Sequence, residues 1–459
     1  MHFHSRHREM DMTEGKLLPN ILLFALPLMA SSILQLLFNA ADVIVVGRFG
    51  PDRENALAAV GSTGALINLI VNLFLGLSIG TNVVVARYCG ARRQKEVSEA
   101  VHTSIAISLF GGVILAVVGV LFSNTFLRWM GSPDNVLPLA TLYMKIYFLG
   151  MPVNMIYNFG AALLRAIGDT RRPLIYLTIA GVVNVLLNLM FVIVFNMSVS
   201  GVALATIISQ AISATLVFLC LLRSETPVRV SLRHIRIVPD KFREIARIGL
   251  PAGLQGMCFS LSNVLIQSTV NSFGSIVMAG NTAAANIEGF IYVAMNALHQ
   301  ACITFTSQNV GAGKYDRIRK VCFECVTTCA VIGLSIGLVY WVFRVPLLHI
   351  YSDLDEVIAA ALVRTRIIAF SYFLCGVMDV LCGALRGLGS TITPMVVSIL
   401  GACAFRIFWI YAILPMNRTL TMLYISYPVS WLITAGVHFA CYVRQLRNFP
   451  KGASLSRDA

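Results

Sequence analysis

Charge is what this chain has least of. Asp, Glu, Lys and Arg make up 12% of its 459 residues, where an ordinary soluble domain carries about 25%. Acids are scarcer than bases, 21 against 35, while hydrophobic residues reach 57% and the mean hydropathy is +0.79. That deficit excludes a water-soluble fold, because so many apolar helices cannot hide in one core. The opening stretch MHFHSRHREMDMTEGK lacks an apolar h-region, so no cleavable signal peptide is expected. Its His2, His4 and His7 read as a disordered cytoplasmic tail rather than a metal site. The eleven Cys are scattered, mostly in apolar runs, without a disulfide framework. Cys322, Cys325 and Cys329 open a hydrophobic run and lack a second ligand pair, so they are not expected to hold a metal. The Gly-rich segments GARR (90–93) and GAGK (311–314) follow no strand and lead to no Gly-Lys-Ser/Thr, which argues against a nucleotide-binding P-loop. No HExxH, GxSxG or pair of acids on adjacent helices is expected to form a catalytic constellation, and no catalytic residue, enzyme activity or organic cofactor is expected.

Apolar runs of spanning length are abundant. Twelve are placed near 18–46, 57–85, 98–124, 137–164, 173–196, 199–222, 245–273, 279–309, 319–346, 356–385, 394–415 and 421–443. Positive charge gathers in alternate connections. One set holds Arg87, Arg92, Arg93 and Lys95, then Arg165, Arg171 and Arg172, then the stretch from Arg223 to Arg247. It continues with Lys314, Arg317, Arg319 and Lys320, then Arg386, then Arg444, Arg447 and Lys451. The other set is poor in Lys and Arg. The positive-inside rule therefore puts both termini in the cytoplasm, and it accounts for the formal net charge of +14 without nucleic acid. The expected domains are a tail (1–17), a six-helix bundle (18–222), a basic cytoplasmic linker (223–244), a second six-helix bundle (245–443) and a tail (444–459).

The two halves repeat. ALLRAIGDTRRP at 162–173 matches GALRGLGSTITP at 383–394, so Arg165 maps to Arg386 (386 − 165 = 221). GARR matches GAGK at the same offset, as Leu127 to Val136 matches Leu348 to Val357. Pro27 pairs with Pro251 at 224. An even number of spans per half gives both the same orientation, a parallel repeat of the kind several transporter folds use. Asp42 aligns with Ile266, and Asn158 with Asp379, so the halves differ in their intramembrane acids.

Asp42 lies in ILLFALPLMASSILQLLFNAADVIVVG, residues 21–47, uninterrupted by Lys, Arg, Glu or His. Gln35, Asn39 and Asp42 share one helix face by their spacing. A carboxylate at that depth costs several kcal/mol unless a cation, a proton or water meets it. Glu288, in NIEGFIYVAMN, and Asp379, in GVMDVLCGALRG, should likewise face a cavity or a partner. Their charge would attract a cationic compound, with Tyr292 and Met295 as an adaptable apolar wall. Arg406, in ACAFRIFWIY, offers the alternative of a structural ion pair with Asp379 or Glu288. Lys145 and Arg366 should snorkel to the headgroups.

Four stretches resemble the multidrug and toxic compound extrusion (MATE) transporters: EGKLLPNILLFALPLM…NAADVIVVGRFG…ALAAVG, LLRAIGDTRRP followed by NVLLN, TSQNVGAGK, and GALRGLGSTITP. The resemblance implies an all-α membrane protein of twelve transmembrane helices in two pseudo-symmetric six-helix bundles, working by alternating access. It implies secondary active efflux of organic cations or amphipathic drugs, driven by Na⁺ or H⁺ influx, by a monomer in a bacterial-type inner membrane. A coupling site centred on the first-helix Asp matches Asp42, and a sixth-helix Thr matches Thr206. The family's fifth-helix Asn-x-x-x-Asp reads Asn184-Val-Leu-Leu-Asn188 here, so an amide replaces the second carboxylate. Only Asp42 then supplies charge, and the remaining neutral oxygen ligands lean the reading toward Na⁺, with a single-Asp proton cycle as the alternative. Acids occur on the family's seventh and tenth helices; Glu288 falls on the eighth, and Asp379 is displaced by about one turn, so those roles are not carried across. A flippase for lipid-linked saccharides, or another metabolite exporter of the superfamily, is the alternative function. Twelve spans and the NVLLN and GALRGLG motifs favour the drug exporter over it.

Overall fold

A computed structural model describes residues 10–49 and 53–447. His2, His4, His7 and Lys451 lie outside those residues. The described chain is a succession of twelve long helical segments. They are α1 (Leu17–Phe49), α2 (Arg53–Gly90), α3 (Gln94–Trp129), α4 (Leu137–Leu149 continued by Met151–Ala166), α5 (Arg171–Val194) and α6 (Val199–Leu222). Then come α7 (Pro239–Asn271), α8 (Ser275–Gly311), α9 (Tyr315–Val342), α10 (Asp355–Gly387), α11 (Ile392–Met416) and α12 (Leu420–Arg447). Each expected span falls on one of them. Most run past the apolar stretch because the charged flanking residues stay helical once outside lipid.

Among the described residues, nine of these helices are long and apolar enough to cross a membrane by themselves. The two pieces of α4 make a tenth, bent by 50°. The bend sits where Gly150 has no side chain to pack and Pro152 has no N–H to give the helix ladder. At 33 and 37 residues, α7 and α8 also reach spanning length, but polar residues dilute their hydropathy. Those residues are turned inward: Gln255, Ser262, Asn281, Glu288 and His299 are all buried. The reverse holds on the outside. Along α3, Phe110, Val113, Ile114, Val117 and Leu121 recur at helical spacing and are exposed, while Thr103, Ser104 and Ser108 on the other face are fully buried. An apolar exterior over a polar interior is what a bilayer selects.

The repeat is visible in the backbone. Helix starts recur at one offset: Gln94 and Tyr315, Arg171 and Ile392, Val199 and Leu420 (420 − 199 = 221). Left-handed turns recur at the same offset, Gly168 (φ 87°) with Gly389 (φ 92°), and Arg92 (φ 56°) with Gly313 (φ 69°). Only the first half breaks its fourth helix; α10 runs unbroken through the corresponding position, Ser371.

The contacts divide the chain into two compact units. The first contains Ala30–Gly253 with Met1–Asp11, and the second Leu254–Ala459 with Met12–Met29. The division therefore runs through α1 and α7, two residues after Pro27 and Pro251 respectively, and not through the linker at 223–244. In the first unit, the early turns of α7 cross α2 at glycines. A Cβ on Gly76 would lie 2.2 Å from Gly253 N, and one on Gly80 2.3 Å from Ile245 O, so no larger residue fits. Lys241 and Glu244 both bond the Tyr88 hydroxyl there, at 2.7 and 2.8 Å. The linker docks on α3, where the Ser231 N–H donates to His102 Nε2 at 2.9 Å. In the second unit, the segment ahead of α1 is pinned to the α8–α9 turn. Asn309 donates to Met12 O, Lys314 to Thr13 O and Arg317 to Glu14 O, at 3.1, 2.9 and 2.7 Å. Lys314 of the GAGK turn is thus a tether for backbone carbonyls.

Candidate functional site

In the first unit α1, α5 and α6 bring four polar residues together. Apolar spans have few ways to satisfy a polar side chain, so those that share a face and depth find one another. Asp42 from α1 is 9% exposed; Asn184 and Asn188 from α5, one turn apart, are 4% and 0% exposed. Asn188 Nδ2 donates to Asp42 Oδ1 in a short contact and to Asn184 Oδ1 at 3.2 Å. Thr206 of α6 reaches Asp42 Oδ2 at 3.4 Å and Val202 O at 2.9 Å. Its hydroxyl has one hydrogen. If that serves the closer carbonyl, Thr206 Oγ1 turns a lone pair toward the carboxylate. Asn188 Oδ1 is buried without a hydrogen-bond partner. The Asn188 Nδ2 group thus sits between Asp42 Oδ1 and Asn184 Oδ1. Turning the amide over would present its orphaned oxygen to that same point.

A cavity of ≈ 120 Å³ opens beside Asp42. Gln35 and Asn39 line it, as the face they share with Asp42 requires. So do Asn154, Tyr157 and Asn158 of α4 and Thr206, Ser209, Gln210 and Ser213 of α6. Sequence reasoning left the α4 amides, and every α6 group but Thr206, out of the site. Their signal was the i, i+3/i+4 spacing of amides and hydroxyls within otherwise apolar spans.

The second unit disposes of its acids differently. Glu288 is 1% exposed and is clamped by Arg364 of α10, whose Nη2 and Nε lie 2.6 and 3.0 Å from its carboxylate oxygens. Arg364 Nη1 also donates to Asn281 Oδ1 at 2.8 Å, and Tyr424 OH donates to the same oxygen at 3.2 Å. The expected Arg406–Glu288 pair is therefore corrected. Arg364 is the partner, because it enters from the helix packed directly on α8, while Arg406 lies on α11. Glu288 is also removed as a cavity-lining acid, since its oxygens are spent on Arg364. Met295 is 1% exposed and packed against Gly333 and Gly376, so it fills core rather than a cavity wall. Tyr292 is 39% exposed. Asp379 is half-buried and, among the described residues, in no ion pair with Arg406 or any other cation. Arg406 donates from Nε to Ser430 Oγ at 2.8 Å and lies over the Tyr427 ring at 4.4 Å. Lys145 and Arg366 are exposed, consistent with snorkelling.

The expectation that GxSxG is missing is corrected. Residues 76–80 spell Gly-Leu-Ser-Ile-Gly, a match to the GxSxG nucleophile elbow. Ser78 lies inside α2 and donates to Leu75 O at 2.7 Å, and both glycines serve the α7 crossing, so the strand–turn–helix context of that motif is missing.

Comparison with known proteins agrees with this architecture. The chain is 27% identical over 385 residues to the probable multidrug resistance protein YoeA of Bacillus subtilis (strain 168), covering 82% of each chain. It is 26% identical to the probable multidrug resistance protein NorM of Thermotoga maritima, over 83% of this chain and 82% of that one. A FAD transporter of Shewanella oneidensis is 21% identical, over 86% and 87%. The solved structure of a MOP superfamily transporter from Pyrococcus furiosus superposes with a TM-score of 0.89 at 21% identity, covering 96% of this chain and 98% of that one. The MatE family model matches residues 27–190 and again 251–412, one match in each half of the repeat. The chain belongs to the MatE family and is a multi-pass membrane transporter with the twelve-helix fold of that family.

Proposed function

We propose that the protein is a secondary active multidrug exporter in which Asp42 takes the coupling ion and Na⁺ is that ion. The observation that carries this reading is a single buried carboxylate met only by neutral amide and hydroxyl side chains, with no cation paired to it among the described residues. Asp42 supplies the charge, and Asn184 Oδ1, Thr206 Oγ1 and a turned-over Asn188 Oδ1 supply neutral ligands. Hard cations prefer such oxygen sets. A proton on Asp42 would also donate to the turned-over Asn188 oxygen, so the preference for Na⁺ rests on the number of neutral oxygens gathered round one carboxylate. Alternate filling of the site from outside and emptying to the inside then drives alternating access. The amide- and hydroxyl-lined cavity around Asp42 gives the ion a polar route. In the second unit Asp379, half-buried and in no ion pair among the described residues, is the acid left to attract a cationic compound, with the exposed Tyr292 on the neighbouring helix. The multidrug resistance proteins among its relatives support the cargo class.

The test is accumulation of a cationic dye in an efflux-deficient host. Expression should lower accumulation, and Asp42→Asn should abolish the effect with protein levels unchanged. Unchanged accumulation across a broad compound panel would sink the reading. Export of a defined metabolite is the second reading, supported by the relative named a FAD transporter. A metabolite that copurifies and is carried in place of dyes would establish it.

A further inference from the structure

Arg406 is a buried cation with no anion paired to it among the described residues. It is 4% exposed, midway along a transmembrane helix, and among the described residues it makes no ion pair. Its one hydrogen bond to a side chain runs from Nε to Ser430 Oγ. That hydroxyl already donates to Tyr427 O at 2.8 Å, so it brings no negative charge. Nη2 is buried and has no hydrogen-bond partner. Aromatic rings make up much of the remaining shell, beside the thiols of Cys375 and Cys403. The guanidinium lies 4.4 Å from the Tyr427 ring and 5.5 Å from the Trp431 ring, and Trp431 packs edge-on to Tyr372 at 5.2 Å. The backbone is also distorted on both sides of it. Phe405–Phe408 is a single α-helical turn between two π-helical stretches, Ile399–Ala404 and Trp409–Ile413. Such bulges re-aim side chains and concentrate at functional sites.

The contrast with Arg364 is direct. Both arginines are buried in the same unit and both touch the Tyr427 ring. Arg364 has Glu288 and Asn281. Arg406 has ring faces and one hydroxyl, which offset only part of the cost of burying a guanidinium. A cation kept in the membrane at that cost marks a ligand of opposite charge.

We propose that Arg406 is the anion-recognising residue of the second unit, and that the protein's substrates include amphipathic compounds bearing a carboxylate or phosphate. The inference rests on the export function proposed above and narrows its cargo. The free Nη2 edge takes the anionic oxygen, and the aromatic rings take the flat apolar body of the same molecule.

Rhodamine B, which carries one carboxylate, and its ethyl ester, which carries none, make a matched pair of probes. Their binding to the purified full-length protein in nanodiscs is measured for wild type, Arg406→Gln and Arg406→Lys. Wild type is expected to bind the acid about tenfold tighter than the ester. Arg406→Gln should erase that preference by weakening binding of the acid far more than that of the ester, and Arg406→Lys should keep part of it. Equal binding of the two dyes to wild type, or equal loss of both in Arg406→Gln, overturns the proposal. A second readout does not depend on dyes. Sodium benzoate, put in place of an equal concentration of sodium chloride so that Na⁺ is constant, should raise the midpoint of thermal unfolding of wild type and leave that of Arg406→Gln where it is; no rise in wild type overturns the anion site. Without benzoate, Arg406→Gln should unfold no earlier than wild type, because it removes an unpaired buried charge. Earlier unfolding would mark Arg406 as structural and overturn the proposal. If neither dye binds wild type but benzoate still stabilises it, the multidrug reading fails and the anion site stands.

Discussion

In the first unit Asp42, Asn184, Asn188 and Thr206 meet beside a polar cavity. One repeat further on, the same positions hold Ile266 (266 − 42 = 224), Phe405 (405 − 184 = 221), Trp409 and Tyr427. There Ile266 is 3% exposed in a core cluster with Ile410, Leu414 and Tyr424, and Phe405 packs on Trp409 at 5.7 Å. So one copy of the duplicated scaffold keeps an ionisable hollow, and the other is filled with apolar and aromatic side chains. The buried acid that the second unit does keep, Glu288, is sealed by a guanidinium. A carboxylate matched by neutral ligands can exchange its partner. A carboxylate matched by a fixed arginine cannot. The repeat thus keeps an exchangeable carboxylate at Asp42 in the first unit and a sealed one at Glu288 in the second.

The largest expected effect lies in the sealed pair. Arg364→Ala leaves Glu288 buried and alone, and should destabilise the protein by about 3–5 kcal/mol, read as a fall in the thermal midpoint in nanodiscs. Glu288→Gln with Arg364→Met together should recover most of that loss; no recovery would mean that the pair is not what holds the two helices. Asp42→Asn should do the opposite, abolishing ion-driven transport while the fold is kept or gains stability. Loss of the fold in Asp42→Asn would erase the distinction between the units. Asn188→Asp supplies a second carboxylate, and should tighten Na⁺ binding about tenfold in isothermal titration, the lower end of what changes to the partners of metal ligands produce. Thr206→Val removes one weak ligand and should weaken Na⁺ binding a few-fold, about 1 kcal/mol. The smallest effect is in the backbone. Arg92 holds the left-handed conformation that Gly313 holds in the second half, so Arg92→Gly should stabilise by about 1 kcal/mol. A thermal midpoint that falls would show that the exposed Arg92 side chain contributes more than its strain costs.

Span number and the repeat were legible in the sequence because lipid imposes a length on every helix and duplication imposes one offset. The grouping of Asp42 with Asn184, Asn188 and Thr206 came from the family resemblance; helical spacing alone gave only the pairs on one face. The pairing of Glu288 was not legible. Helical periodicity puts residues on a face but does not say which of two arginines, Arg364 or Arg406, enters from the helix packed against it. Met295 was misplaced for the same reason, since its spacing fits a cavity wall and a helix contact equally, and the glycines of α9 and α10 decide for the contact. The bend of α4 had a signal in Gly150 and Pro152. The passage of α1 and α7 between the units had only a faint one in Pro27 and Pro251.

The central claim is that Asp42 and its neutral partners exchange Na⁺ to power export. Flux of a cationic dye in proteoliposomes, with Na⁺ and pH gradients imposed separately, tests it most directly. A Na⁺ gradient at equal pH should drive dye movement in wild type and none in Asp42→Asn. Dye movement driven by a pH gradient in the complete absence of Na⁺ would contradict it.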